Sequence, residues 1–290
     1  MKLRISEKRL GYLLLLPGIA IILFVGLFPL LFTVYSSFMD YSLFGFRAIT
    51  FIGAANYIKL VGGRYFIPSL SVTIIYVLAA LIAEIILGLS AALLFRGTYK
   101  KDIVARVVIT YPILMAPVVV GMIWKYLYYP SIGPVTVLLQ SLSLPMIDTG
   151  SRSTALLSVI IADVWQWTPL LFLIFLSGIL AIPNELFEAA ELDGMSVLSK
   201  FRYIILPNLR AVFTIVLLLR GTLLFSEFDK IFILTRGGPG MATRNLVYSA
   251  YEAAFSYYSV GDAATWSIFI LIFVNVFVFL SVRVLRRSHS

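Results

Sequence analysis

Six long apolar stretches constrain this chain more than any other feature of its sequence. An α-helix needs about 20 consecutive apolar residues to cross a hydrocarbon core about 30 Å thick, and each stretch meets that length. They run over Leu10–Phe38, Leu70–Phe95, Val104–Tyr126, Thr154–Ile182, Leu209–Leu234 and Ala264–Leu285. We therefore predict an all-α membrane protein with six transmembrane helices. Pro112 and Pro117 should kink the third helix, since a spanning helix tolerates proline where neighbours satisfy the freed carbonyls.

The composition supports the same class. Of the 290 residues, 61% are hydrophobic and 13% are charged, whereas soluble domains have about 45–50% apolar and about 25% charged residues. The excess apolar side chains must face lipid. The opening Met1–Leu10 segment and the apolar run after it imitate a signal peptide, but the run is too long and lacks a small-residue cleavage site. We predict an uncleaved first span.

The chain lacks the residue types that most enzymes and metal sites use. It has no cysteine, which excludes disulfides and thiolate metal ligands, and its single histidine is His289, next to last. An intramembrane enzyme would then need a carboxylate pair or a Ser–Lys dyad within the spans, and none is apparent. We predict a non-enzyme with no metal site and no cofactor of its own.

The distribution of basic residues predicts the orientation. Fourteen of the 23 Lys and Arg residues lie in the N-terminal tail, in the loops after the second and fourth spans, and at the C-terminal end. Arg220 lies inside a span, and the other eight lie in the opposite loops: Arg47, Lys59, Arg64, Lys125, Arg152, Lys230, Arg236 and Arg244. The positive-inside rule then makes both termini cytoplasmic. Because the basic residues are spread over short segments, the net charge of +9 indicates topology rather than a nucleic-acid partner.

The loop between the fourth and fifth spans has the signals of a short capped helix. Pro183 suits a first helical turn, and Glu185 and Glu188 follow near the helix N-terminus, where the macrodipole favours negative charge. Gly194 can end the helix in the left-handed conformation. A second amphipathic piece follows, with Leu198, Phe201, Ile204 and Ile205 on one side, and Pro207 precedes the fifth span. The pattern predicts a compact helical knob that another protein could grip, although an ordinary well-capped loop would give the same pattern.

Ionisable residues inside spans are costly and mark functional positions by default. Glu84, Asp163 and Arg220 are the candidates here. A structural ion pair that fixes helix packing would explain them equally well, so both interpretations stay open.

Aromatic and polar residues near the outer ends of two spans suit a solute with apolar faces and hydroxyl edges, such as a sugar. We predict that six of them line the path: Trp165, Gln166, Trp167, Phe225, Glu227 and Asp229. The nearby Gly237–Gly240 run lacks the Lys-Ser/Thr of a phosphate loop, and we interpret it as a tight external turn.

Three ordered motifs resemble those of ABC-importer permeases. Glu188-Ala189-Ala190, Asp193-Gly194 and Leu206-Pro207 are similar to the EAA loop of that family. The segments Asp163–Pro169 and Phe228–Pro239 resemble its carbohydrate branch, which includes maltose and glycerol-phosphate permeases. The likeness extends from about Leu10 to the C-terminus.

The resemblance implies a type I permease fold in the cytoplasmic membrane of a prokaryote. Residues 1–68 would form the cytoplasmic N-terminus, first span and external loop, residues 69–285 the core, and residues 286–290 a cytoplasmic tail. In this interpretation the EAA loop, about residues 183–207, docks on a cytosolic ATPase dimer through Glu188, Ala189, Ala190, Asp193 and Gly194.

The same resemblance implies the further partners. They are a second, homologous permease and an extracytoplasmic solute-binding protein, with ATP and Mg²⁺ held by the ATPase. The function implied is import of a sugar or related polyol. Two alternatives remain open: an ABC permease for a non-sugar solute, and an ion-coupled secondary transporter, which should show internal repeats and a titratable relay.

Overall fold

Helices make up most of the structure. The computed structural model describes residues 7–44, 48–95 and 100–287. In chain order its α-helices are α1 (Glu7–Ile22), α2 (Phe28–Ser37), α3 (Ala55–Val61), α4 (Phe66–Leu94), α5 (Lys100–Thr110), α6 (Pro117–Leu127), α7 (Pro134–Ser141), α8 (Ala155–Leu180), α9 (Asn184–Leu192), α10 (Val197–Lys200), α11 (Leu206–Asn208), α12 (Arg210–Leu224), α13 (Asp229–Leu234), α14 (Leu246–Phe255) and α15 (Val260–Arg287).

A few short segments depart from α-helix. Leu23–Leu27 and Phe201–Ile205 are π-helical and Tyr111–Leu114 is a 3₁₀ turn. Strand β1 (Met39–Asp40) pairs antiparallel with β2 (Thr50–Phe51), with Met39 opposite Phe51. This hairpin departs from the predicted all-α class, but each of its strands is only two residues long.

Five helical segments within the described residues are long and apolar enough to cross a membrane: Leu14–Ser37, Phe66–Leu94, Ala155–Leu180, Arg210–Leu234 and Val260–Arg283. A sixth span arises if the bent pair Ile103–Leu114 and Pro117–Leu127 crosses as one. The prediction of six spans is confirmed in this sense.

The third span is bent more sharply than the sequence suggests. The two halves meet at 101°, and Met115 and Ala116 between them are extended, with ψ of 140° at each. A residue before proline is pushed out of the α region, which explains why Ala116 ends the helical path just before Pro117. The predicted kink is confirmed, and it divides the span into two helices.

The fifth span, predicted over Leu209–Leu234, is confirmed as Arg210–Leu234, but its helix is interrupted. The α-helix ends at Leu224 and resumes at Asp229. Glu227 explains the restart, because its side-chain Oε1 accepts a hydrogen bond from the backbone N–H of Lys230 at 2.9 Å and so caps the first turn of α13.

The chain forms two compact units, the first comprising residues up to Gly63 together with Ser249–Phe269. Within it the buried Asn56 amide donates to the carbonyl oxygens of Ser37 and Met39 at 3.0 and 2.9 Å. Lys59 Nζ lies 2.8 Å from Asp262 Oδ2. These contacts hold α3, the hairpin and the start of α15 together.

The second unit comprises Arg64–Tyr248 and the residues from Ile270 onward. Its centre is the contact between α4 and α8. A Cβ atom at Gly88 would lie 2.8 Å from Leu171 Cβ and 3.0 Å from Phe172 N, so only glycine allows the two helices to approach this closely. Small residues serve the same purpose at other helix contacts in membranes.

Several expectations fall outside what the structure describes. Lys2, Arg4, Arg47, Arg96 and His289 lie outside the described residues. The orientation of the termini and the domain boundaries at residues 68/69 and 285/286 also remain predictions.

We predict that Gly88→Val lowers the stability of the protein by about 1–3 kcal/mol, because the added side chain overpacks the α4–α8 contact. The midpoint of thermal unfolding in detergent measures the effect. Gly18→Val is the matched control, since nothing lies within 4 Å of a Cβ at Gly18. Equal midpoints for the two variants would contradict the proposed role of Gly88.

Candidate transport and coupling sites

Helix α9 has defined caps at both ends. Pro183 precedes it with extended backbone, and Glu185 lies in its first turn. Gly194 is left-handed with φ +65°, as predicted. The N–H of Met195 donates to the carbonyl oxygen of Ala190 at 2.9 Å, and that of Gly194 donates to Glu191 at 3.1 Å. This pair of bonds is a Schellman motif, which satisfies the last helical carbonyls and fixes the turn.

Four of the five predicted coupling residues lie on the surface of this knob, which we define as residues 183–207. Glu188, Ala189, Asp193 and Gly194 are exposed, whereas Ala190 is buried. Ala190 packs in a cluster with Ile204 and Leu209. Ala190 thus anchors α9 to the unit, and the other four face outward.

In the second half of the knob, three of the four residues predicted to share one side, Leu198, Phe201 and Ile205, line the same groove. Ile204 and Ile205 are buried as expected, but Leu198 is 75% exposed. Ser196 caps α10, accepting a hydrogen bond from Ser199 N at 3.2 Å.

The knob presents apolar side chains to its surroundings. Leu192 and Val197 are 91% and 86% exposed. Beside them is a groove of about 580 Å³ whose lining includes Phe187, Val197, Leu198, Phe201 and Ile205. Isolated exposed apolar residues are ordinary, but a contiguous set next to a groove marks an interaction surface.

A network of buried charges lies inside the second unit. Arg220 on α12 donates from Nε and Nη2 to the two carboxylate oxygens of Glu84 on α4, both at 2.7 Å. Its Nη2 also contacts Asp163 Oδ2 on α8. Glu84, Asp163 and Arg220 were open to two interpretations, a structural ion pair or a functional site. Their contacts agree with the structural one, because they form an ion triad that joins three helices.

Lys230 extends the network. Its Nζ lies 3.0 Å from Asp163 Oδ1 and 2.9 Å from Glu227 Oε2. Lys230 was counted among the residues of the external loops, and that prediction is wrong, since the side chain is fully buried on α13. The network of Glu84, Asp163, Arg220, Glu227 and Lys230 thus combines three carboxylates with two cations, and Asp163 bridges the cations.

The residues predicted to line the path divide into two groups. Glu227 belongs to the network, and the Trp167 ring centre lies 4.9 Å from Arg220 Cζ. Phe225 is buried against Phe277, with ring centres 5.5 Å apart. Gln166 is buried, and its amide donates to Met115 O at 2.9 Å.

The second group is Trp165 and Asp229. Trp165 is 37% exposed and meets Trp124 edge-on, with ring centres 5.9 Å apart. Asp229 is half-buried at the start of α13. A side chain two positions along a helix points to a different side, about 200° away, so Trp165 and Trp167 serve different surfaces of α8.

The residues that support the break in the fifth span were not predicted from the sequence. Asn245 Nδ2 donates to Glu227 O at 2.6 Å, and its Oδ1 accepts from Tyr248 N at 2.7 Å. Thr73 Oγ1 on α4 accepts from Leu246 N at 3.0 Å. The available signal was weak: Lys230 lies three residues after Glu227 in an apolar run, a spacing that allows pairing.

The Gly237–Gly240 run forms the predicted tight turn. Gly237 and Gly240 have φ of +75° and +64°. Thr243 Oγ1 donates to Gly238 O at 2.9 Å. Nothing in this geometry resembles a phosphate cradle.

Comparison with known proteins identifies the family. Residues 84–289 match the family described as "Binding-protein-dependent transport system inner membrane component". The chain belongs to this family. This match covers the network, the knob and the Gly237–Gly240 turn.

Relatives of this permease align with the chain over nearly its whole length. A trehalose/maltose transport system permease protein of Thermococcus litoralis is 35% identical over 96% of this chain and 93% of its own. An sn-glycerol-3-phosphate transport system permease protein of Brucella abortus is 31% identical, over 94% and 93% respectively.

A solved structure shares the fold of this permease. It belongs to a bacterial alginate ABC transporter in complex with an alginate pentasaccharide-bound periplasmic protein, with a TM-score of 0.83 over 96% of this chain and 94% of that one. At 20% identity, it supports the permease fold alone.

We predict that Arg220→Leu destabilises the protein by about 3–5 kcal/mol, because it leaves Glu84 and Asp163 buried and without their shared cation. The control is Lys59→Leu, which breaks an ion pair whose lysine side chain is 70% exposed and should cost about 0–1 kcal/mol. Thermal unfolding in detergent compares the two. An unchanged midpoint together with lost transport would instead assign Arg220 to the solute path.

Proposed function

We propose that this chain is a permease subunit of an ATP-driven importer that carries a sugar or related polyol across the cytoplasmic membrane. The relatives named for trehalose, maltose and glycerol phosphate support the solute class. Hydrolysis of ATP belongs to a partner, which holds the ATP and Mg²⁺.

The observation that carries the proposal is the exposed, capped knob at residues 183–207. Its outward-facing residues Glu188, Ala189, Asp193 and Gly194 sit beside the apolar groove that Phe187 and Leu198 line. A short rigid helix with exposed apolar neighbours suits the cleft of a second protein. In the proposal that protein is the cytosolic ATPase. Movement of the ATPase is transmitted from α9 to the helices of the second unit through the buried Ala190.

The proposal requires further subunits. A second, homologous permease supplies the other wall of the path, most simply as a heterodimer, and two ATPase copies drive it. An extracytoplasmic solute-binding protein delivers the sugar, in keeping with the periplasmic protein bound in the alginate transporter. The knob then faces the cytoplasm, and the positive-inside rule places both termini there too.

The six predicted path residues take different roles in this proposal. Trp165 and Asp229 are partly accessible and offer the solute an aromatic face and a carboxylate. Glu227, Trp167 and Gln166 lie against or near the buried network and act on the solute only when the break at residues 225–228 opens. Phe225 packs against Phe277 at that break. Import needs two states that nucleotide and loaded binding protein stabilise differently.

We predict that Glu188→Lys and Gly194→Val abolish uptake while leaving the membrane level of the protein unchanged. The first reverses an exposed charge on α9, and the second strains a left-handed residue by about 1–2 kcal/mol, moving the tip of the knob. Uptake and ATP hydrolysis by the reconstituted complex are measured. Asp148→Lys, at an exposed site outside the knob, is the charge control. Normal uptake in both knob variants would exclude the docking role.

We predict that Trp165→Ala and Asp229→Ala weaken transport of the solute without impairing assembly with the ATPase. Losing one good aromatic or hydrogen-bonding contact costs about 1–3 kcal/mol, which corresponds to roughly a 5- to 150-fold rise in the KM for uptake. Radiolabelled maltose and trehalose are suitable probes. Tyr35→Ala is the control for loss of an exposed aromatic. Unchanged kinetics in both path variants would remove these residues from the path.

A further inference from the structure

One exposed segment of the second unit has an unusual composition. From Tyr126 to Ile147 the sequence has no charged residue, although Lys125 and Asp148 flank it on either side. The other loops assigned to the same side do carry charges, for example Lys59 in the first and Arg236 in the third. Helix α7 lies within this neutral segment.

The neutral segment is held at the end of the third span. Gly133 N donates to Tyr129 O at 2.8 Å, and Tyr129 N donates to Tyr126 O at 3.0 Å. A Cβ atom at Gly133 would lie 2.4 Å from Leu127 O, so the turn is folded tightly against the last residue of α6. Helix α7 begins at the next residue. Because α6 is the end of a spanning pair, α7 must lie near the membrane surface.

The two faces of α7 differ in burial. Thr136 is buried, and Val135 packs against the hydrophobic core of the unit. Leu138 and Leu142, the residue that follows the helix, are four residues apart and joined by a hydrogen bond from Leu142 N to Leu138 O at 3.1 Å, so they share one face. They are 57% and 58% exposed. Ile132 before the helix and Leu144 after it are also exposed. The helix therefore presents an apolar face for which the described residues provide no cover.

We propose that α7 and its flanks lie in the membrane interface, with Leu138 and Leu142 inserted among the lipids. Burying apolar area contributes about 25 cal/mol per Å², and interfacial helices gain stability in this way. Tyr126 and Tyr129 are exposed beside the turn, and amphipathic rings are enriched at this depth. A membrane is favoured over a protein partner because the segment offers no charge for specific pairing.

The absence of cysteine makes the test direct, because single-cysteine variants of the whole chain need no background substitutions. Leu138→Cys, Leu142→Cys and Gln140→Cys are labelled with a nitroxide. Gln140 lies on the same helix, about 200° from Leu138, and is exposed. The complete importer, reconstituted in phosphatidylcholine vesicles, is compared with the chain alone. Collisions with oxygen report hydrocarbon, and collisions with a water-soluble nickel chelate report water.

The proposal predicts a severalfold higher oxygen-to-nickel collision ratio at residues 138 and 142 than at residue 140, in both preparations. Raising the salt concentration should leave the ratio unchanged, because no charged residue takes part. Free nickel access at all three positions would place α7 in water. Loss of both kinds of collision at residues 138 and 142, in the complete importer only, would show a protein partner there. Either result would overturn the proposal, and agreement between positions 138 and 142 guards against a misfolded single variant.

Discussion

The packing of the second unit depends on Arg220. Its planar guanidinium group reaches Glu84 through two nitrogens and Asp163 through one of them, so a single side chain joins α12 to α4 and α8. A lysine would lack this fork geometry. Without Arg220, Glu84 would lose its cation and Asp163 would keep only Lys230, in apolar surroundings where an unpaired charge is very costly. Lys230 repeats the arrangement one step further, between Asp163 and Glu227. The relative positions of α4, α8, α12 and α13 are therefore determined by these ion pairs as well as by side-chain packing.

Both interrupted spans lie next to residues that satisfy their freed backbone groups. At the bend of the third span, Gln166 on α8 donates to Met115 O. At the break of the fifth, Asn245 donates to Glu227 O, and Glu227 caps α13. Non-helical backbone at membrane depth survives only where protein or cavity water supplies such partners. Segments of this kind can change dihedral angles without disrupting a whole helix.

The sequence was sufficient wherever the signal is local. Apolar length predicted the spans, Pro112 and Pro117 predicted the bend, and Gly194 predicted its own left-handed turn. It failed wherever a distant residue decides. Hydropathy averaged over Leu209–Leu234 could not detect the break at residues 225–228, because Asn245, which donates to Glu227 O, lies beyond that stretch. Lys230 was misplaced for the same reason, since its partner Asp163 is 67 positions earlier.

Two exposed apolar surfaces of this permease are distinguished by the charges around them. The knob carries Glu185, Glu188 and Glu191 on α9, and Lys200 Nζ lies 3.1 Å from Glu191 Oε1. The neutral segment around α7 has no charge at all over 22 residues. Charges steer and orient a protein partner, whereas insertion among lipid tails is favoured by apolar area and opposed by any charge. Equal hydrophobic exposure serves opposite purposes in the two proposals, docking at the knob and insertion at α7. The charge pattern along the chain indicates which purpose applies.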